Sequence, residues 1–117
     1  MLTLSGTQQV YLATGFTDLR KSIDGLAALV QEGFGLDPFS PSLFVFCNRG
    51  RNKLKLLYWD INGFWLVYRR LERGTFQWPT SSEQVVTITS RELHWLLDGL
   101  SLHQRQAHTP VPVTVVV

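Results

Sequence analysis

Seven of the eleven lysines and arginines, Arg49, Arg51, Lys53, Lys55, Arg69, Arg70 and Arg73, fall within residues 49–73, where only Asp60 and Glu72 oppose them. Seven cations against two carboxylates leave this segment at +5, and four against seven leave the rest of the chain at −3. A local excess of this kind attracts polyanions even though the whole chain carries only +2. Cations on phosphates, with Trp59 or Tyr68 against a sugar or base, would make a nucleic-acid site. Catalytic chemistry finds less support. His94, His103 and His108 lack the spacing of a zinc helix, and His94 with Asp98 at i, i+4 reads as a surface pair. No G-x-S-x-G, P-loop or G-x-G-x-x-G occurs. Asp18, Asp24, Asp37 and Asp60 share no spacing that singles out a Mg²⁺ pair. Cys47, the only cysteine, excludes an intrachain disulfide and any zinc site built on two thiolates. It sits in an apolar run, where a thiol pKa rises and nucleophilicity is lost. No catalytic residue, metal or cofactor is expected.

The cations gain a specific arrangement if Asn62-Gly63 closes a two-residue hairpin, since both central residues of a type I′ turn need positive φ. Counting outward pairs Ile61 with Phe64, Trp59 with Leu66, Leu57 with Tyr68 and Lys55 with Arg70. The opposite face pairs Asp60 with Trp65, Tyr58 with Val67 and Leu56 with Arg69. Lys55 and Arg70 would then be like charges side by side, which destabilises a sheet unless an anion lies between them. A phosphate backbone is the obvious anion. The plainer alternative has both side chains extending into water at a strand end, where they discourage edge-to-edge aggregation. A longer turn would change the register and dissolve the pair.

The elements that must position these residues follow from periodicity. Residues 8–13 read as a strand with Val10 and Leu12 on one face and Tyr11 on the other. Gly15 breaks it, and Thr17 or Asp18 can cap a helix whose stripe is Leu19, Ile23, Leu26, Ala27, Val30 and Phe34, ended by Gly33 or Gly35. Arg20, Lys21, Asp24, Gln31 and Glu32 fall on its other side. After the turn at residues 37–41, Leu43-Phe44-Val45-Phe46-Cys47 is apolar on both faces, as a strand covered from two sides would be. Residues 53–60 and 64–72 form the hairpin, and 85–88 a further strand. Thr89-Ser90-Arg91-Glu92 has the spacing of a capping box, and Ile88 with Leu93 that of a hydrophobic staple. The helix behind it carries Leu93, Leu96, Leu97 and Leu100 on one stripe. Trp95 points away from that stripe beside Arg91 and Asp98. It reads either as a protein-interface anchor with Arg91 or as a ring covered by the C-terminal tail.

This order predicts an α+β domain: a mostly antiparallel sheet of about five strands with two helices packed on one face. At 117 residues with 44% apolar content, one domain is expected over residues 1–103, with 104–117 as a tail. The valine-rich end can add an edge strand, in its own molecule or a neighbour's, with Pro110 and Pro112 at positions that need not donate. No apolar run reaches the ~18 residues of a membrane span. No signal segment is evident at the N-terminus, so the cytoplasm is the expected location.

Several blocks resemble a known family. Thr17-Asp18-Leu19-Arg20-Lys21-Ser22-Ile23-Asp24-Gly25-Leu26, Asp37-Pro38-Phe39-Ser40, Leu43-Phe44-Val45-Phe46, Lys55-Leu56-Leu57-Tyr58-Trp59-Asp60, Gly63-Phe64 and Arg70-Leu71-Glu72-Arg73-Gly74-Thr75-Phe76-Gln77-Trp78-Pro79 are similar to the TnpB accessory protein of the insertion-sequence-66 family of bacterial transposable elements. This is not the RNA-guided nuclease that shares the TnpB name. The resemblance runs through residues 8–101 in unbroken order. It implies a small protein encoded beside a separate DDE transposase and needed for transposition, with no established catalytic role and no agreed functional residues. One departure is Gly99-Leu100-Ser101-Leu102-His103, where relatives tend to a Gly-Ile-Asp-Trp-Arg type ending. Two readings follow. In one, the basic hairpin holds DNA at the element ends. In the other, the aromatic surface and Trp95 dock the transposase or a second copy in a homodimer, and the cations meet an acidic partner.

Overall fold

The computed structural model describes residues 8–99. Its centre is β2, Leu43–Cys47, in which every residue is buried. Alternation sends Leu43, Val45 and Cys47 into one apolar cluster and Phe44 and Phe46 into another. Both faces of the sheet must therefore be covered. Around β2 lie β1 (Val10–Ala13), β3 (Lys53–Asp60), β4 (Gly63–Arg70) and β5 (Val85–Ile88), in the spatial order β4-β3-β2-β1-β5. β1 and β2 run parallel, and the other three pairs are antiparallel. The α+β class and the mostly antiparallel five-stranded sheet are as expected from the sequence.

The helices do not share a face. Leu26 and Val30, from α1 (Ile23–Ala28) and the wider π turn at Leu29–Gly33 that continues it, pack on Phe44, Phe46 and Leu57. Leu93 and Leu96 of α2 (Ser90–Leu97) pack on the opposite face, with Val45, Leu56, Phe76 and Trp78. The expectation of two helices on one face is thus corrected. The cause is β2 itself: a strand apolar on both sides stays stable only with a layer on each side, and each buried Phe or Leu contributes roughly 1.5–3 kcal/mol.

The start of α1 also differs. Neither Thr17 nor Asp18 caps it; Ser22 is the N-cap residue. The Asp18 carboxylate instead accepts the Arg20 backbone N–H at 3.0 Å and its guanidinium at 2.8 Å, while Lys21 N–H donates to the Asp18 carbonyl. A local Asp turn of this kind competes with helix initiation, so residues 17–21 form a loop. By contrast, α2 begins where expected. Thr89 Oγ1 accepts from Glu92 N–H at 3.0 Å, and Glu92 Oε1 accepts from Thr89 N–H at 2.8 Å, with Ile88 and Leu93 buried beside them. Thr89→Ala removes one arm of this box and is expected to cost about 1 kcal/mol, read as a lowered urea midpoint at unchanged slope. Leu100 and the tail, with the division proposed at residue 103, lie outside the described residues.

The hairpin closes one residue earlier than its Asn-Gly pair predicts. Ile61 and Asn62 form the turn, Gly63 pairs with Asp60, and Ile61 takes a φ of 55°. A β-branched residue there costs on the order of 1–3 kcal/mol. What this gains is visible along the strands. Leu57 lies opposite Leu66 beneath α1, and Trp59 opposite Phe64, whose rings sit 5.0 Å apart with Phe39 against both. Packing of matched apolar pairs overrides the preferred turn chemistry. Each side chain keeps its expected face, but its partner moves by two.

Candidate nucleic-acid interface

The shift in register dissolves the expected Lys55–Arg70 pair. Lys53 now faces Arg70, and Lys55 faces Tyr68. Like charges still meet across the strands, and the relief is internal, because Arg70 Nε donates to Glu72 Oε2 at 2.8 Å. Lys55 is engaged differently. Its Nζ donates to the carbonyls of Leu19 at 2.7 Å and Lys21 at 3.0 Å, tying the residue 17–21 loop to the sheet. We expect Lys55→Met to cost about 1–3 kcal/mol by leaving those carbonyls without this donor. The same substitution should raise amide hydrogen exchange in the loop; an unaltered exchange pattern would refute the role.

That loop forms one wall of a cleft of about 830 Å³. The other walls are the β2–β3 turn and the exposed ends of β3 and β4. Lys53, Lys55, Arg49 and Arg20 all line it, with Phe16 and Tyr68, and Asp18 is the single carboxylate among the lining residues. The turn is held rigidly. Asn48 Oδ1 accepts from the backbone N–H groups of Asn52 and Lys53 at 3.1 and 3.0 Å, and its Nδ2 donates to Asn52 Oδ1 at 2.9 Å. Thr17 N–H donates to the Cys47 carbonyl at 2.8 Å, joining turn and loop. The Arg49 guanidinium stands 5.7 Å from the centroid of the Phe16 ring, within cation–π range. Arg20 holds the Asp18 carboxyl well below the ordinary carboxylate range by its side-chain and then backbone hydrogen bonds, so Asp18 remains charged in mild acid. Position within the fold agrees with this chemistry: the loop and the turn follow the carboxyl ends of the two parallel strands, β1 and β2, the edge at which open α/β sheets commonly bind ligands.

The seven sequence-selected cations thus divide. Arg49, Lys53 and Lys55 meet in the cleft, and Arg70 lies beside Lys53 on the same face. Arg69 projects to the opposite face, where Nη1 donates to the Leu97 carbonyl at 3.0 Å and secures the end of α2. Arg51 and Arg73 are exposed outside the cleft lining. Trp95 is half-buried and Arg91 exposed, both on α2, across the sheet from the cleft. Arg20 and Phe16 were not singled out by sequence. The helical spacing around Arg20 suggested a solvated helix face, whereas the Asp18 turn places it in the loop; the break at Gly15, whose φ is +70°, was the available signal. Elsewhere, burial pushes the Cys47 thiol up to about 12. Among the described residues, no group of three or more metal-ligating side chains comes together, and no helix is long and apolar enough to cross a membrane.

A mixed sheet covered on both faces, with a cationic cleft at the ends of its parallel strands, defines a small α+β domain. The chain belongs to the IS66 Orf2-like family, TnpB_IS66, whose model matches residues 8–107. It is therefore placed among the accessory proteins of insertion-sequence transposition, as the residue blocks above implied. Two proteins of Sinorhizobium fredii (strain NBRC 101917 / NGR234) are similar to it. "Uncharacterized protein y4hO" is 36% identical over 114 residues, covering 97% of this chain and 99% of the relative. "Uncharacterized protein y4jC" is 32% identical over 92 residues, 79% of each. No solved structure matches the chain significantly.

Proposed function

We propose that this protein is a non-catalytic DNA-binding factor that acts in the cytoplasm, holding the ends of its element while a DDE transposase performs the chemistry. The observation that carries this reading is the convergence of Arg20, Arg49, Lys53 and Lys55 on one open cleft whose single carboxylate, Asp18, is paired with Arg20, so that Arg49, Lys53 and the carbonyl-anchored Lys55 carry its surplus positive charge. Cations brought together from distant sequence positions create a local positive potential that a phosphate backbone relieves, through contacts that position DNA without reading its sequence. Arg70, Arg51 and Arg73 extend the grip along the flanking surface. Fluorescence anisotropy of labelled terminal-repeat DNA, titrated with protein at several salt concentrations, tests this. Binding whose logarithm falls linearly with log salt is expected; affinity indifferent to salt, or no binding at low salt, would overturn it.

A second reading is favoured by one observation of its own. Trp65 is 54% exposed and Val67 36% on edge strand β4, and Ile61 at the hairpin tip is 89% exposed. Such rings and aliphatic groups suit a protein contact, with the transposase or a second copy of the chain, to which Trp95 and Arg91 on α2 would add. Co-purification with the transposase that survives Trp65→Ser would count against it.

A further inference from the structure

The cleft differs from a plain phosphate-binding groove in what stands beside its cations. Phe16 is an apolar ring 47% exposed to solvent, and Tyr68 is 50% exposed; both line the same cleft as Arg20, Arg49 and Lys53. Exposing a phenylalanine at the lip of a cationic cleft is unfavourable unless a flat apolar surface covers it. The Arg49 guanidinium lies over the Phe16 ring. This pre-sets a charged plane and an aromatic plane at one place.

Duplex DNA presents phosphates outside and keeps base faces stacked within. The rings that line this open cleft find no free base face on a duplex, whose bases stay stacked on one another. Unpaired nucleotides expose the π-faces that rings and guanidinium planes accept, whatever the base. We infer that the cleft receives single-stranded DNA, with bases stacked on Phe16 and Tyr68 and the adjoining phosphates on Arg49 and Lys53. This rests on the DNA-binding reading above and narrows it to the form of DNA that the site takes. Such a protein would engage the element end where its strands have parted.

Three labelled probes of equal length separate the possibilities: a single-stranded oligodeoxynucleotide, the corresponding duplex, and an abasic single strand carrying phosphates without bases. The protein should bind the single strand on the order of tenfold or more tightly than the duplex or the abasic strand. Phe16→Ala and Tyr68→Ala should each lower single-strand affinity by on the order of tenfold, with abasic-strand affinity unmoved. Both rings are half exposed, so these variants should fold, and unchanged urea midpoints would establish that. Equal or tighter binding of the duplex, with salt dependence intact, would overturn the single-strand assignment and leave the DNA-binding reading standing. No binding of any probe would overturn both.

Discussion

Replacing Arg49 and Lys53 together by alanine should lower affinity for DNA at about 100 mM salt by more than about tenfold and reduce the salt slope by about 1.4 on a single strand. Both side chains line the cleft, and among the described residues neither takes part in an ion pair. Their removal should therefore subtract the proposed phosphate contacts while leaving the fold alone. Arg91→Ala makes the comparison specific. Arg91 is equally cationic and exposed but stands on α2 beyond the opposite face, so its loss should change affinity by less than about twofold. Anisotropy titrations of the two variants side by side check this. Equal losses in both would mean that binding follows net charge and not the cleft.

The largest effect on stability should come from Trp78. The ring is 6% exposed in the cluster shared with α2, and its Nε1–H donates to the Ala13 carbonyl at 2.9 Å. Two residues earlier, Phe76 N–H donates to the Arg51 carbonyl at 2.7 Å, and Gly15 N–H donates to the Pro79 carbonyl. This short segment thus supports both the loop and the turn that wall the cleft. Trp78→Ala should cost about 3–5 kcal/mol through the cavity left behind, lowering Tm by on the order of 15–30 °C. Trp78→Phe retains most of the burial and loses the donor, for about 1–3 kcal/mol. Urea denaturation of the pair separates the two contributions. A cost below about 1 kcal/mol for the alanine variant would show that the segment is not part of the core.

Much of the fold was legible wherever one local signal was uncontested. The five apolar residues of β2, the capping box at Thr89 and Glu92, and the alternation in β1 each correspond to an observed element. The sidedness of the helices was misread: β2 showed that both faces need a cover, Phe44 and Phe46 on one and Leu43 and Val45 on the other, but the helices were assigned to a single face. Where two signals competed, the local one lost. Asn62-Gly63 is a strong turn former, yet pairing Leu57 with Leu66 and Trp59 with Phe64 moved the turn back onto Ile61, a β-branched residue at positive φ. The candidate site was half legible for a related reason. Clustering in residues 49–73 pointed to Arg49, Lys53 and Lys55, but chain proximity could not say that Arg69 emerges on the other face or that Lys55 is spent on two carbonyls. Arg20 and Phe16 join them only because β1 and β2 run parallel, a pairing across some thirty residues that no local pattern in the sequence reveals.

An ¹⁵N-resolved NMR titration of the protein with a short oligodeoxynucleotide tests the central claim most directly. Backbone amides in the residue 16–20 loop, the residue 49–53 turn and Tyr68 should shift progressively and saturate together. Shifts confined to α2 around Arg91 and Trp95, with those segments unmoved, would contradict it.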